Sequence, residues 1–149
     1  MKQMILTSPV FADKGIIPSQ YTCDGEDINP PLVFSNVPED ASSLVLIVKD
    51  PDAPGKTWVH WVVFNIDPAT VRVLDDSVPG RGIEAVTDFG NKGYGGPCPS
   101  NGMHRYNFKL FALDTTLDLT EDVTLVELEN AMAHHIMEEA ELTALYSRE

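Results

Sequence analysis

The sequence predicts a mainly β protein: a β-sandwich connected by long loops, with a C-terminal helix. Three observations carry that reading. Four β-branched or aromatic runs are bounded by Pro, Gly, Asp or Asn, two long turn-rich stretches separate them, and helical periodicity is confined to residues 124–142. At 149 residues, with 43% hydrophobic and 22% charged, the chain has the size and composition of one globular domain, taken as 1–149.

The first run, L-V-L-I-V-K at 44–49, is followed by D-P-D-A-P at 50–54. Pro51 restricts Asp50 to extended geometry and Pro54 does the same to Ala53, so the acids are held in a fixed direction. By parity Asp50 continues the face of Leu44, Leu46 and Val48. It is read either as a turn aspartate capping a loop amide or as a carboxylate aimed at the end of a core face. The second run, W-V-H-W-V-V-F-N-I at 58–66, is apolar on both faces except at His60 and Asn65, as expected of a central strand. Strict alternation places His60 with Trp58, Val62 and Phe64. A histidine there is read as a satisfied core residue or a ligand.

V-R-V-L at 71–74 is a short third strand. R-Y-N-F-K-L-F-A-L at 105–113 alternates cleanly, with Tyr106, Phe108 and Leu110 on the inner face. His104 precedes it and shares the Tyr106 face. The stretches 18–31 and 90–102 are too long to be plain connections and are read as site-building loops. From Thr124 the spacing predicts a helix through Leu142: Thr124 and Glu127 have capping-box spacing, and Leu125, Leu128, Met132, Ile136 and Ala140 form a stripe.

Net charge is −13, and from Leu113 onward ten acids face Arg148 alone. A chain this acidic, without a basic stripe, is a poor nucleic-acid binder and is not drawn to anionic bilayers. No run approaches the ~20 apolar residues of a membrane span, and the opening M-K-Q-M-I-L-T-S-P-V-F falls short of a signal-peptide core. The cytoplasm is the expected location. Cys23 and Cys98 are too few for a disulfide framework and too far apart for a CxxC motif, so two reduced thiols are the default.

Two histidines, a tyrosine and a locked aspartate thus fall at strand ends beside G-N-K-G-Y-G-G-P-C-P-S-N-G. Imidazoles and a phenol donate hydrogen bonds to an anion, and glycine amides can line the rest of a small pocket. Asp50 would orient or charge a histidine. The loop lacks the spacing of a nucleotide P-loop and precedes a strand, D-F-G at 88–90 stands without other kinase motifs, and Ser100 has no nucleophile elbow. Asp50, His60 and His104 could also form a two-histidine, one-carboxylate metal set. The anion socket is the preferred reading, with no metal and no cofactor expected.

D-P-D-A-P with W-V-H, G-Y-G-G-P-C-P-x-x-G-x-H-R-Y, Y-T-C-D-G-E-D-I-N-P-P at 21–31 and A-M-x-x-H-I-M-x-x-A-E-L-x-x-x-Y at 131–146 resemble the phosphatidylethanolamine-binding protein family, also called Raf kinase inhibitor-like proteins. The bacterial and archaeal branch matches best. The resemblance implies an antiparallel β-sandwich with a small accessible pocket for phosphate or the phosphoryl group of phosphoethanolamine. Asp50 and Asp52 match its paired acids, and His60, His104 and Tyr106 its pocket side chains. Gly96 and Pro97 match the loop that closes the pocket; Arg105, on the opposite face from Tyr106, is assigned to structure. Cys23 and Cys98 would rim that pocket and could approach as a redox-sensitive pair. His135 is left with nothing beyond a bond to the site loops. The implied function is non-catalytic binding of a small anionic ligand or phosphorylated group, with a homodimer allowed. The alternatives are a protease or kinase inhibitor acting through the pocket rim, or a phosphoester-cleaving enzyme.

Overall fold

The computed structural model describes residues 2–148. In chain order the strands are β1 (Ile5–Thr7), β2 (Gly15–Ile16), β3 (Leu32–Ser35), β4 (Ser43–Asp50), β5 (Trp58–Ile66), β6 (Arg72–Val73), β7 (Ile83–Glu84) and β8 (His104–Leu113). Helix α1 (Leu125–Met132) and β9 (Ile136–Tyr146) follow. They form a three-stranded sheet, β1-β3-β6, and a six-stranded sheet, β2-β9-β8-β4-β5-β7. All pairings are antiparallel except β2 with β9.

The large sheet is buried on both faces at its centre. Leu44, Leu46 and Val48 of β4 join Tyr106, Phe108 and Leu110 of β8 and Leu142 and Ala144 of β9 to pack against Leu6, Leu32, Phe34 and Val73 of the small sheet. On the outer face, Val45, Ile47, Val62 and Phe64 meet Leu128 and Met132 of α1. Burying a Leu, Ile or Phe stabilises by about 1.5–3 kcal/mol each, and β4 contributes to both cores. Thr124 caps α1 reciprocally with Glu127, as the capping box requires.

The helix is shorter than its periodicity suggests. Ile136, expected as part of its stripe, begins β9, whose Ala140, Leu142, Ala144 and Tyr146 alternate inward. Met132, Ile136 and Ala140 are four residues apart, a spacing shared by one face of a helix and one face of a strand. Ten register pairs with β8 decide the outcome. His134 and His135 consequently lie in the turn between helix and strand rather than in helical register with Glu138 and Glu139. His135 does not bond to the site loops: its Nδ1 lies 2.7 Å from Asp114 Oδ1.

Candidate functional site

Asp50 ends β4 on the inner face, and both readings of it hold, one on each carboxylate oxygen. Oδ1 accepts the Asp52 amide at 2.8 Å, the turn cap, while Oδ2 lies 2.7 Å from His104 Nδ1. The prolines at 51 and 54 leave the chain little freedom to turn this carboxylate elsewhere. His104 opens β8 and its Nε2 faces the Asn101 carbonyl at 3.1 Å. Both ring nitrogens thus meet oxygen acceptors, an arrangement fully satisfied by the imidazolium. The two side chains are only 8% and 4% exposed, so the hydrogen bond between them is shielded from water. Neither His104 nitrogen is left to point at a ligand, contrary to the expectation that both imidazoles donate.

His60 reaches the same place by an irregularity of β5. Val48 pairs with Trp61 but Lys49 with Val59, leaving His60 as the extra residue of a β-bulge. The bulge breaks the alternation that grouped His60 with Val62 and Phe64. Those two pack toward α1, whereas the His60 ring stands edge-on to Tyr106 with centroids 5.2 Å apart. Its Nδ1 is 2.6 Å from the Gly95 carbonyl, which makes Nδ1 the donor and turns Nε2 away from that contact. Burial pushes the His60 pKa below the ordinary histidine value, against the smaller upward pull of the Gly95 carbonyl and Asp50.

Tyr106 lies between the two histidines, stacked on His104 at 6.3 Å. It is 1% exposed, and its hydroxyl is the buried side-chain polar atom with no hydrogen-bond partner among the described residues. Desolvation, then the Asp50 charge, raises its pKa far above that of a free phenol, although the nearby Cys98 amide pulls slightly downward. The group is therefore a neutral hydrogen-bond donor throughout the physiological range. An unsatisfied buried hydroxyl costs about 1–3 kcal/mol.

The other expected site residues are placed around this quartet rather than in it. Asp52 turns outward and chelates Arg105: Oδ1 accepts from Nη2 at 2.8 Å, and Oδ2 accepts from Nε at 3.0 Å and the backbone amide at 2.8 Å. That guanidinium holds the Asp52 carboxyl down at about 2. Arg105 is structural, as its parity suggests. The Gly96 amide donates to Asp27 Oδ1 at 2.8 Å, and the Pro97 carbonyl accepts the Cys23 amide at 3.1 Å. Gly96 is dictated by close approach, since a Cβ there would lie 2.5 Å from the Tyr21 carbonyl oxygen. The 95–98 backbone thus passes His60 and Tyr106 with its own polar groups largely engaged.

Reduced thiols are not found. Cys23 and Cys98 form a disulfide, with Cα atoms 5.4 Å apart, joining the two long loops across 75 residues of sequence. The Tyr94 hydroxyl, donating to the Tyr21 carbonyl at 2.7 Å, ties the same loops. The pairing could not be read from spacing, because proximity arises only when both loops converge on the mouth of the sheet.

Phe89 is the residue that the sequence reading missed. It is 42% exposed, yet its ring covers His60 edge-on at 5.2 Å and Trp58 at 5.6 Å. It lies in the D-F-G triplet, set aside as coincidental; an aromatic beside a glycine loop was the available signal. Among the described residues, no cluster of three or more His, Cys, Asp or Glu is arranged to hold a metal, and no helix is long and apolar enough to cross a membrane.

Two sheets with paired site loops, a buried Asp–His pair and an adjacent phenol–imidazole pair at one strand end define a β-sandwich protein with a loop-built polar site. The family model for phosphatidylethanolamine-binding protein matches residues 7–147, and the chain belongs to that family. It is 48% identical over 151 residues to a UPF0098 protein of Methanothermobacter thermautotrophicus, covering 97% of this chain and 99% of the relative. A UPF0098 protein of Pyrococcus abyssi is 45% identical over 157 residues, covering 99% and 87%. The crystal structure of a phosphatidylethanolamine-binding protein homolog, CT736 of Chlamydia trachomatis, superposes with a TM-score of 0.96 at 40% identity, covering both chains fully. That of Escherichia coli YbcL, described as a new member of the mammalian family, gives 0.91 at 28% identity, covering 99% of this chain and 100% of the other.

Proposed function

We propose that this protein is a non-catalytic receptor for a small anion, a phosphoryl or carboxylate group, taken up beside Tyr106 and His60. The observation that carries the reading is the buried Tyr106 hydroxyl, a donor with no acceptor among the described residues, next to an imidazole whose Nε2 makes no hydrogen bond with them. The Asp50–His104 pair anchors the stack and holds the imidazole of His104 against the phenol. Asp52, Gly96 and Pro97 support the loops rather than touch the ligand. The name of the family, which specifies a phosphate-bearing lipid head group, agrees with this chemistry.

Binding is favoured over catalysis because the quartet contains no serine, cysteine or lysine nucleophile, and both cysteines are joined to each other. Phosphate enters with one proton shared between it and His60. Either the imidazole is protonated at Nε2 and donates, or the neutral ring accepts from a phosphate monoanion, so affinity rises as pH falls through about 6. Calorimetric titration with phosphoethanolamine, and with ethanolamine as the control lacking phosphate, tests the reading. Tyr106→Phe and His60→Ala should each weaken phosphoethanolamine binding about tenfold or more, the loss of one charge-assisted hydrogen bond. Affinities equal to wild type in both variants would remove the pair from the site.

A further inference from the structure

The strands that carry the quartet on their inner face carry a different set on their outer face. Lys49 follows Val48, Thr57 precedes Trp58, and Asn107 and Lys109 alternate with Tyr106 and Phe108. Together with Ile47, Phe111, Pro51 and Glu129 these residues line a cleft of about 300 Å³. This is the lower end of the range for small-molecule pockets.

The cleft exists because α1 is short. Eight residues of helix extend about 12 Å, whereas the ten residues of β8 beneath extend about 34 Å. The helix packs on Val45, Ile47, Val62 and Phe64, and the cleft opens at its margin over the edge of Ile47 and the half-buried Phe111, with Glu129 on its last exposed turn forming one wall. Ile47 and Lys109 are direct cross-strand partners, so an ammonium stands at the edge of the apolar floor.

The polar groups of the cleft are unequally used. Lys49 Nζ is held by Glu129 at 3.0 Å. Lys109 makes no side-chain hydrogen bond or ion pair with any described residue, although Glu141 is its cross-strand neighbour on β9. The Thr57 hydroxyl and the Asn107 amide nitrogen are likewise without partners; only the Asn107 oxygen is engaged, by Thr143 at 3.2 Å. Within its lining the cleft holds two lysines and one carboxylate, Glu129, which is engaged by Lys49, so Lys109 is the ammonium unpaired among the described residues, with Glu141 and Glu139 of β9 on the same face beyond the lining. It offers donors over a hydrocarbon floor.

We infer that this outer-face cleft is a second binding site, separate from the Tyr106 site, for a small organic monoanion with an apolar body, such as a short-chain or aromatic carboxylate. The carboxylate pairs with Lys109 and accepts from Thr57 or Asn107, while the apolar body lies on Ile47, Phe111 and Pro51. Nothing in this assignment depends on whether the inner site binds phosphate.

The test is a titration of ¹⁵N-labelled protein with benzoate, and with benzamide as the uncharged analogue, followed by amide chemical shifts. Saturable shifts at Ile47, Thr57, Asn107 and Phe111 are expected with benzoate. Lys109→Met should weaken binding about tenfold, Lys109→Arg should restore it, and benzamide should bind about tenfold more weakly than benzoate. Tyr106→Phe should leave these shifts unchanged. Equal response to benzamide, no saturable shift, or shifts confined to His60 and Tyr106 would overturn the inference. So would shifts of the same amides on raising protein concentration alone, which would make the cleft a contact between copies.

Discussion

Replacing Cys23 and Cys98 together by serine isolates the contribution of the disulfide. Cys98 is exposed and Cys23 half-buried, so the exchange leaves no large core cavity and the effect falls on the unfolded chain. Closing 75 residues removes about 15 cal/mol/K of chain entropy, or about 4.5 kcal/mol at 25 °C in the loop-closure model. With an unfolding entropy of roughly 2.1 cal/mol/K per residue over 149 residues, that corresponds to a fall in Tm of about 14 °C. Differential scanning calorimetry of wild type and the double variant measures it, with thiol titration of the native and denatured proteins to establish the oxidation state. A fall of under about 5 °C from a fully oxidised wild type would refute the reasoning, since even the usual lower bound of about 2 kcal/mol gives more. Two free thiols in the air-exposed native protein would refute the pairing itself. Because the same bond joins both site loops, the double variant should also bind phosphoethanolamine more weakly.

The stability of the unliganded protein should respond to Tyr106→Phe in the opposite sense to its binding: chemical denaturation should show no loss, or a gain of about 1 kcal/mol, because a buried hydroxyl without a partner is removed. A loss above about 1 kcal/mol would mean that the hydroxyl has a protein partner. His60 has a pKa lowered by folding, so the unfolded chain takes up its proton first and stability falls as pH drops below about 6.5 toward the lower folded value. The stability difference between wild type and His60→Asn should therefore be flat above pH 7 and change as pH falls below about 6.5; a difference that stays constant as the pH is lowered would contradict the burial of a neutral ring.

The strands at the centre of the large sheet were legible because their side chains report their own environment. The 44–49 and 105–113 runs fall within β4 and β8, and Tyr106, Phe108 and Leu110 face inward as alternation requires. Asp50 was legible for a similar reason, since proline restricts its neighbour through covalent geometry alone. The first half of the helix carried its own capping box. The remaining edge strands were not visible: β1, β2 and β7 are two or three residues long, too short to carry a period, and exist only through their partners.

Local chemistry by itself thus determined the class of the fold, the family pattern, the stiff placement of Asp50 and the residue types available to the site. The tertiary structure decided what those residues do. Register with β8 turned 136–146 from helix to strand, a bulge in β5 brought His60 to Tyr106, Asn101 engaged the second nitrogen of His104, and Arg105 drew Asp52 away. These outcomes rest on pairings between residues far apart in sequence, and the direction of a side chain at a bulge or loop is set by the partner that satisfies it. The disulfide between Cys23 and Cys98 has the same origin: neither cysteine carries any local mark of the other, and only the folding of both loops onto one end of the sheet makes them neighbours.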